Sequence, residues 1–75
     1  MAHVRCPSPT CHDTLQDFRD LRGEAEIAAA EAALRPVLGD AFFAPTAYHR
    51  CQGDGCRRVQ KKTNWRVGAY LPPEF

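Results

Sequence analysis

Four cysteines, arranged as two matched pairs, set the terms for this chain. Cys6 and Cys11 are separated by four residues, and so are Cys51 and Cys56, in a sequence of 75 residues. A chain this short rarely buries enough apolar surface to fold on a hydrophobic core alone, and a disulfide, a metal or a partner usually makes up the difference. Both intervals are built from turn formers, Pro7-Ser8-Pro9-Thr10 in one and Gln52-Gly53-Asp54-Gly55 in the other. Proline fixes φ and glycine permits positive φ, so each loop can double back and aim its two thiols at one point. Four thiolates in a tetrahedron are a preferred structural environment for Zn²⁺.

The expected centre is therefore one structural zinc ion held by Cys6, Cys11, Cys51 and Cys56. His12 follows Cys11 directly and His49 precedes Cys51 by two residues, which leaves open a site of three thiolates and one imidazole. Two disulfides, four free thiols and an iron–sulfur cluster are the rival readings. No basic segment followed by an apolar one marks a secretory leader, so a reduced, cytoplasmic setting is expected, and it disfavours disulfides. Arg5, Arg50, Arg57 and Arg58 adjoin the cysteines and are candidates to offset the negative charge of a four-thiolate ion. A closed centre of this kind has no open position for water or substrate, so no enzyme and no small-molecule substrate are expected.

The rest of the chain divides at Pro45. Between the cysteine pairs, residues 13–39 have helical character: Asp13 or Thr14 can cap a first helix carrying Leu15, Phe18 and Leu21, and Gly23 interrupts. A second helix starts at Glu24 in a run rich in Ala and Glu, with Pro36 and Gly39 marking its bend or end. One kinked helix over residues 14–38 is the alternative. After Pro45, residues 47–50, 57–62 and 65–71 read as short strands, with Lys62-Thr63-Asn64 as a turn and 72–75 as an extended tail. The expected fold is a small α+β zinc-stabilised single domain over residues 1–75. Its first knuckle spans 4–12, a helical hairpin spans 13–39, and the second knuckle with an antiparallel, zinc-ribbon-like β ribbon spans 46–71.

The stretch Tyr48-His49-Arg50-Cys51-Gln52-Gly53-Asp54-Gly55-Cys56 resembles the second cysteine knuckle of the Ogr/Delta family, small phage-encoded zinc-finger transcription activators. The family's second pair is also spaced by four residues, often in a Tyr-His-x-Cys-Gln context. The resemblance implies that Cys6, Cys11, Cys51 and Cys56 are zinc ligands, and it implies DNA binding with contact to RNA polymerase.

Charge is unevenly distributed. Residues 1–46 carry four arginines against seven acidic residues, whereas residues 47–75 carry six basic residues against two acidic ones. The basic set Arg57, Arg58, Lys61, Lys62 and Arg66 falls on the expected hairpin, interspersed with Trp65 and Tyr70. Cations among aromatic rings suit phosphate contact and base stacking, and the same pattern also describes a solvated hairpin whose Trp65 packs inward. Asp17, Asp20, Glu24 and Glu31 form a solvated acidic surface or a counterpart to that hairpin. Adjacent rings in extended chain face opposite ways, so one of Phe42 and Phe43 closes the core while the other is available to a partner. The sequence thus points to a nucleic-acid-binding regulatory accessory factor, with a protein-interaction adaptor as the alternative. The longest apolar runs, 27–30 and 41–44, fall far short of the roughly 20 residues that cross a bilayer, so no membrane partner is expected.

Overall fold

Residues 2–53 and 55–75 are described by a computed structural model; Asp54, within the second knuckle, lies outside them. The chain alternates short strands with tight turns: β1 (Ala2–Cys6), β2 (Thr14–Asp20), α1 (Gly23–Leu38), a single 3-10 turn (Pro45–Ala47), β3 (Tyr48–Cys51), β4 (Arg58–Lys61) and β5 (Asn64–Tyr70). All five strands join one antiparallel sheet in sequence order. The fold is small α+β with one helix among the described residues.

The segment expected as the first helix is strand β2, which replaces the anticipated helical hairpin by a strand and a helix. The reason is non-local. β2 pairs with β1 from Cys6 opposite Thr14 to Ala2 opposite Phe18, and then with β3 from Phe18 opposite Cys51 to Asp20 opposite His49. A helix there would leave both neighbours without half of their ladder bonds, and tertiary pairing outweighs the small propensity differences involved. Alternation then separates the apolar residues that a helix would have aligned. Phe18 is buried and Leu15 is 67% exposed. Gly23 opens α1, at φ +77°, rather than interrupting it. Pro36 is carried within the helix, and Gly39 at φ +61° ends it, donating its N–H to the Arg35 carbonyl at 2.8 Å.

The three strands expected after Pro45 are present, as one side of the larger sheet. The tail folds back instead of extending: Leu71 is buried, Phe75 packs against the core, and the Phe75 N–H bonds the Pro72 carbonyl. The buried side chains form two clusters. Under α1, Ala30 and Leu34 meet Phe43, Tyr48, Val59 and Leu71. The second cluster consists of the four cysteines and Phe18, edged by Val4. The sheet curls so that β1 comes into contact with β5, and the fully buried Gln60 of β4 reaches β1 by donating from Nε2 to the Arg5 carbonyl at 2.9 Å.

One ionic cluster ties the helix to the sheet. Glu26 shares a helix stripe with Ala30 and Leu34 and is buried with them. Its carboxylate accepts two bonds from Arg19 on β2, both 2.8 Å, one from Arg50 on β3 at 2.9 Å, and the Arg22 main-chain N–H. Arg19 foremost, with the Arg22 N–H and Arg50, lowers the Glu26 carboxyl to about 2 despite its burial. A depressed carboxyl stabilises the fold fully above its unfolded value of 4.5, and that contribution fades as the pH falls toward 2. Glu26→Gln is therefore expected to cost about 3 kcal/mol at pH 7. The gap between variant and parent should close progressively below pH 4.5, as read by chemical denaturation of the two proteins side by side.

Candidate metal centre

The two cysteine loops sit at the same end of the sheet because they are the turns of the neighbouring hairpins β1–β2 and β3–β4. Cys6 ends β1 and Cys51 ends β3, while Cys11 and Cys56 lie in the turns leading to β2 and β4. The loops are built alike. In each, the N–H of the second cysteine bonds the carbonyl three residues earlier, Cys11 to Ser8 and Cys56 to Gly53, both at 3.0 Å. Three of the four sulfurs also receive the N–H two residues further on. Gly53 donates to Cys51 Sγ at 3.3 Å, and the Ser8 and Arg58 main-chain groups serve Cys6 and Cys56.

All four Sγ atoms lie within 4.8 Å of one another and all four residues are buried. The close pairs join one loop to the other: Cys6 to Cys56 at 3.7 Å and Cys11 to Cys51 at 3.6 Å. Four sulfurs at about 2.3 Å from a common centre stand about 3.8 Å apart along a tetrahedral edge, so the donor set fits a single ion. The cysteines are free, and these separations are far from the roughly 2.05 Å of a disulfide. A cluster that distributes its thiolates over separate irons would spread the sulfurs more widely. Neither histidine belongs to the group. His12 is exposed, with φ +53°, and His49 packs its ring 4.4 Å from that of Phe18.

Burial favours the neutral form of most of these thiols. Burial pushes the Cys6 thiol up to about 12 and raises Cys51 as well. Burial acts on Cys56 too, but the Arg58 N–H and the Thr10 and Ser8 hydroxyls outweigh it and lower that thiol to about 6. Four thiolates side by side would need a bound ion to offset their charge. The neighbouring arginines do not supply the charge, because their bonds lead elsewhere. Arg5 forms a two-pronged ion pair with Asp13, Arg50 binds Glu26 and the Phe75 main-chain oxygen, and Arg57 donates to the Leu71 carbonyl.

The basic residues singled out from the sequence do not form one patch. Arg58 is inside the fold, donating to Gln60 Oε1 at 3.0 Å and the Trp65 carbonyl at 2.9 Å, with its guanidinium 5.3 Å from the Tyr70 ring. It lies so close over Gly68 that a Cβ there would come within 2.7 Å of it. Lys62 pairs with Asp20 at 2.8 Å, so the acidic and basic halves of the chain meet here as well as at Glu26 and Arg50. Arg57 is half-buried, and Lys61 and Arg66 are exposed. What the sequence did not show is Arg5. Its guanidinium reaches from β1 to within 4.7 Å of the Trp65 ring centre, and Arg66 approaches the same ring at 5.1 Å. Residues 60 positions apart leave no local pattern to reveal such a contact.

Comparison with protein-family models, curated proteins and solved structures finds no match. No helix among the described residues is long and apolar enough to cross a membrane.

Two substitutions test the centre. Cys51→Ser should abolish metal binding and unfold the protein, as should exhaustive chelation; near-ultraviolet circular dichroism unchanged after complete metal removal would contradict this. Gly53→Ala places a methyl group 2.9 Å from Cys11 Sγ and 3.3 Å from Cys51 Sγ. It should weaken metal affinity about 10- to 100-fold, measured by competition with a chromophoric chelator.

Proposed function

We propose that the four cysteines hold one structural Zn²⁺ and that the domain it fixes binds nucleic acid, as an accessory factor in transcription or a related regulatory process. A four-thiolate set favours zinc among the common divalent ions, and such a site contributes about 10–16 kcal/mol of apparent binding energy in zinc-finger peptides. That is ample for a chain whose apolar core is one small cluster. With every coordination position taken by sulfur, the ion has a structural role and the protein acts by binding, not by catalysis.

The observation that carries the nucleic-acid reading is the grouping of Trp65 with the Arg5 and Arg66 guanidiniums, beside the exposed Lys61 on the β4–β5 hairpin. Cations that stack on an aromatic ring while remaining open to solvent can reach phosphates without a large desolvation penalty. The likeness of residues 48–56 to the second Ogr/Delta knuckle points the same way, and with it a contact to RNA polymerase. A second reading, the protein-interaction adaptor, has its own support in Phe42. That ring is 88% exposed, on a loop that Arg35 braces by donating to the Gly39 and Ala41 carbonyls at 2.9 and 3.0 Å.

Fluorescence anisotropy with labelled oligonucleotides separates the two. Three phosphate contacts predict an affinity loss of roughly 20- to 40-fold between 50 and 200 mM salt. Lys61→Glu combined with Arg66→Glu should remove most binding while leaving the metal content unchanged. If the zinc-loaded protein binds no oligonucleotide at low salt, the nucleic-acid reading fails and the adaptor reading stands.

A further inference from the structure

Building on the nucleic-acid reading, we propose that the preferred ligand is single-stranded and that Trp65 is the platform on which one of its bases stacks. The helix argues against duplex recognition. α1 is the one helix among the described residues long enough to lie in a major groove, and its exposed charged residues are Glu24 and Glu31. Its single basic side chain, Arg35, is engaged by Glu31 and by the loop carbonyls. An acidic helix is repelled by the phosphates that flank a groove.

The available cations lie instead on the sheet and its hairpin, around a ring. Arg5 is held in place by its two-pronged pair with Asp13. Arg66 is exposed, and among the described residues its side chain has no partner other than the indole. The two guanidiniums therefore differ in kind: one is fixed, the other exchangeable. An unpaired base can take the place of the Arg66 guanidinium on the ring, and the freed arginine can turn to the adjacent phosphate. A duplex buries its base faces in its own stack and offers no such exchange. The backbone that carries the ring is anchored, because the Trp65 carbonyl accepts a bond from the buried Arg58, itself seated over Gly68.

Trp65 is the sole tryptophan of the chain, so its emission reports directly on the proposed contact. The zinc-loaded full chain is titrated with a single-stranded oligonucleotide of about 12 nucleotides and with the duplex of the same sequence. The expected result is quenching of Trp65 emission by the single strand, with affinity at least about tenfold above that for the duplex. Trp65→Leu should lower single-strand affinity about 5- to 100-fold while retaining the salt dependence and metal content, and Trp65→Phe should restore part of the loss. Should Trp65→Leu fail to fold, quenching in the intact protein decides the question. Equal or tighter duplex binding, or single-strand binding with unchanged emission, overturns this inference and leaves the nucleic-acid reading in place. No binding of either oligonucleotide overturns both.

Discussion

The convergence of four sulfur atoms is the constraint on which the rest of the structure depends. Each close pair joins one loop to the other, Cys6 with Cys56 and Cys11 with Cys51, so the centre couples two hairpins that are remote in sequence. Among the described residues, the large apolar side chain buried beside it is Phe18, edged by Val4. In a larger domain that volume would be filled by aliphatic side chains. Here the interior at this end of the sheet is largely sulfur, and an ion bound there would make its cohesion ionic rather than hydrophobic. The main-chain N–H groups that face the sulfurs come from the same turns that place them, so ligand geometry and charge stabilisation share one cause.

The helix face has a different construction. A modest apolar cluster carries Ala30 and Leu34, and the Arg19–Glu26–Arg50 group binds helix to sheet through charge. The two regions adjoin at β3, where Arg50 turns toward the helix and the next residue, Cys51, turns toward the sulfurs. Alternation along a strand is enough to separate the two environments. The structure thus has two small interiors of different chemistry, back to back across one sheet.

Much of this was legible in the sequence, and the parts that were not share a reason. The cysteine spacing and turn residues showed the centre because ligand chemistry is local to each loop. The strands after Pro45 and the end of α1 at Gly39 were equally local. Residues 14–20 read as helix in the sequence because Leu15, Phe18 and Leu21 fall at helical spacing, while the partners that make this segment a strand are Cys6, Cys51 and their neighbours. The basic residues were visible as a list, but their fates depend on distant contacts: Arg58 turns inward beneath Tyr70, and Lys62 finds Asp20. Glu26 was readable in retrospect. An acid spaced four and eight residues ahead of Ala30 and Leu34 lies on their stripe, and a buried carboxylate must have a cation.

The pairing of Cys6 with Cys56 also has a consequence for how the chain is made. Neither loop can complete the centre alone, and the first strand relies on Gln60 as well as on the second loop. During synthesis, the early cysteines must wait for some fifty further residues to leave the ribosome before their partners arrive. Throughout that interval they are open thiols, accessible to oxidants and to competing soft metals. If the centre holds zinc as proposed, the yield of correctly loaded protein is then set by the redox state and metal supply of the cell in which it is translated, as much as by the stability of the finished fold.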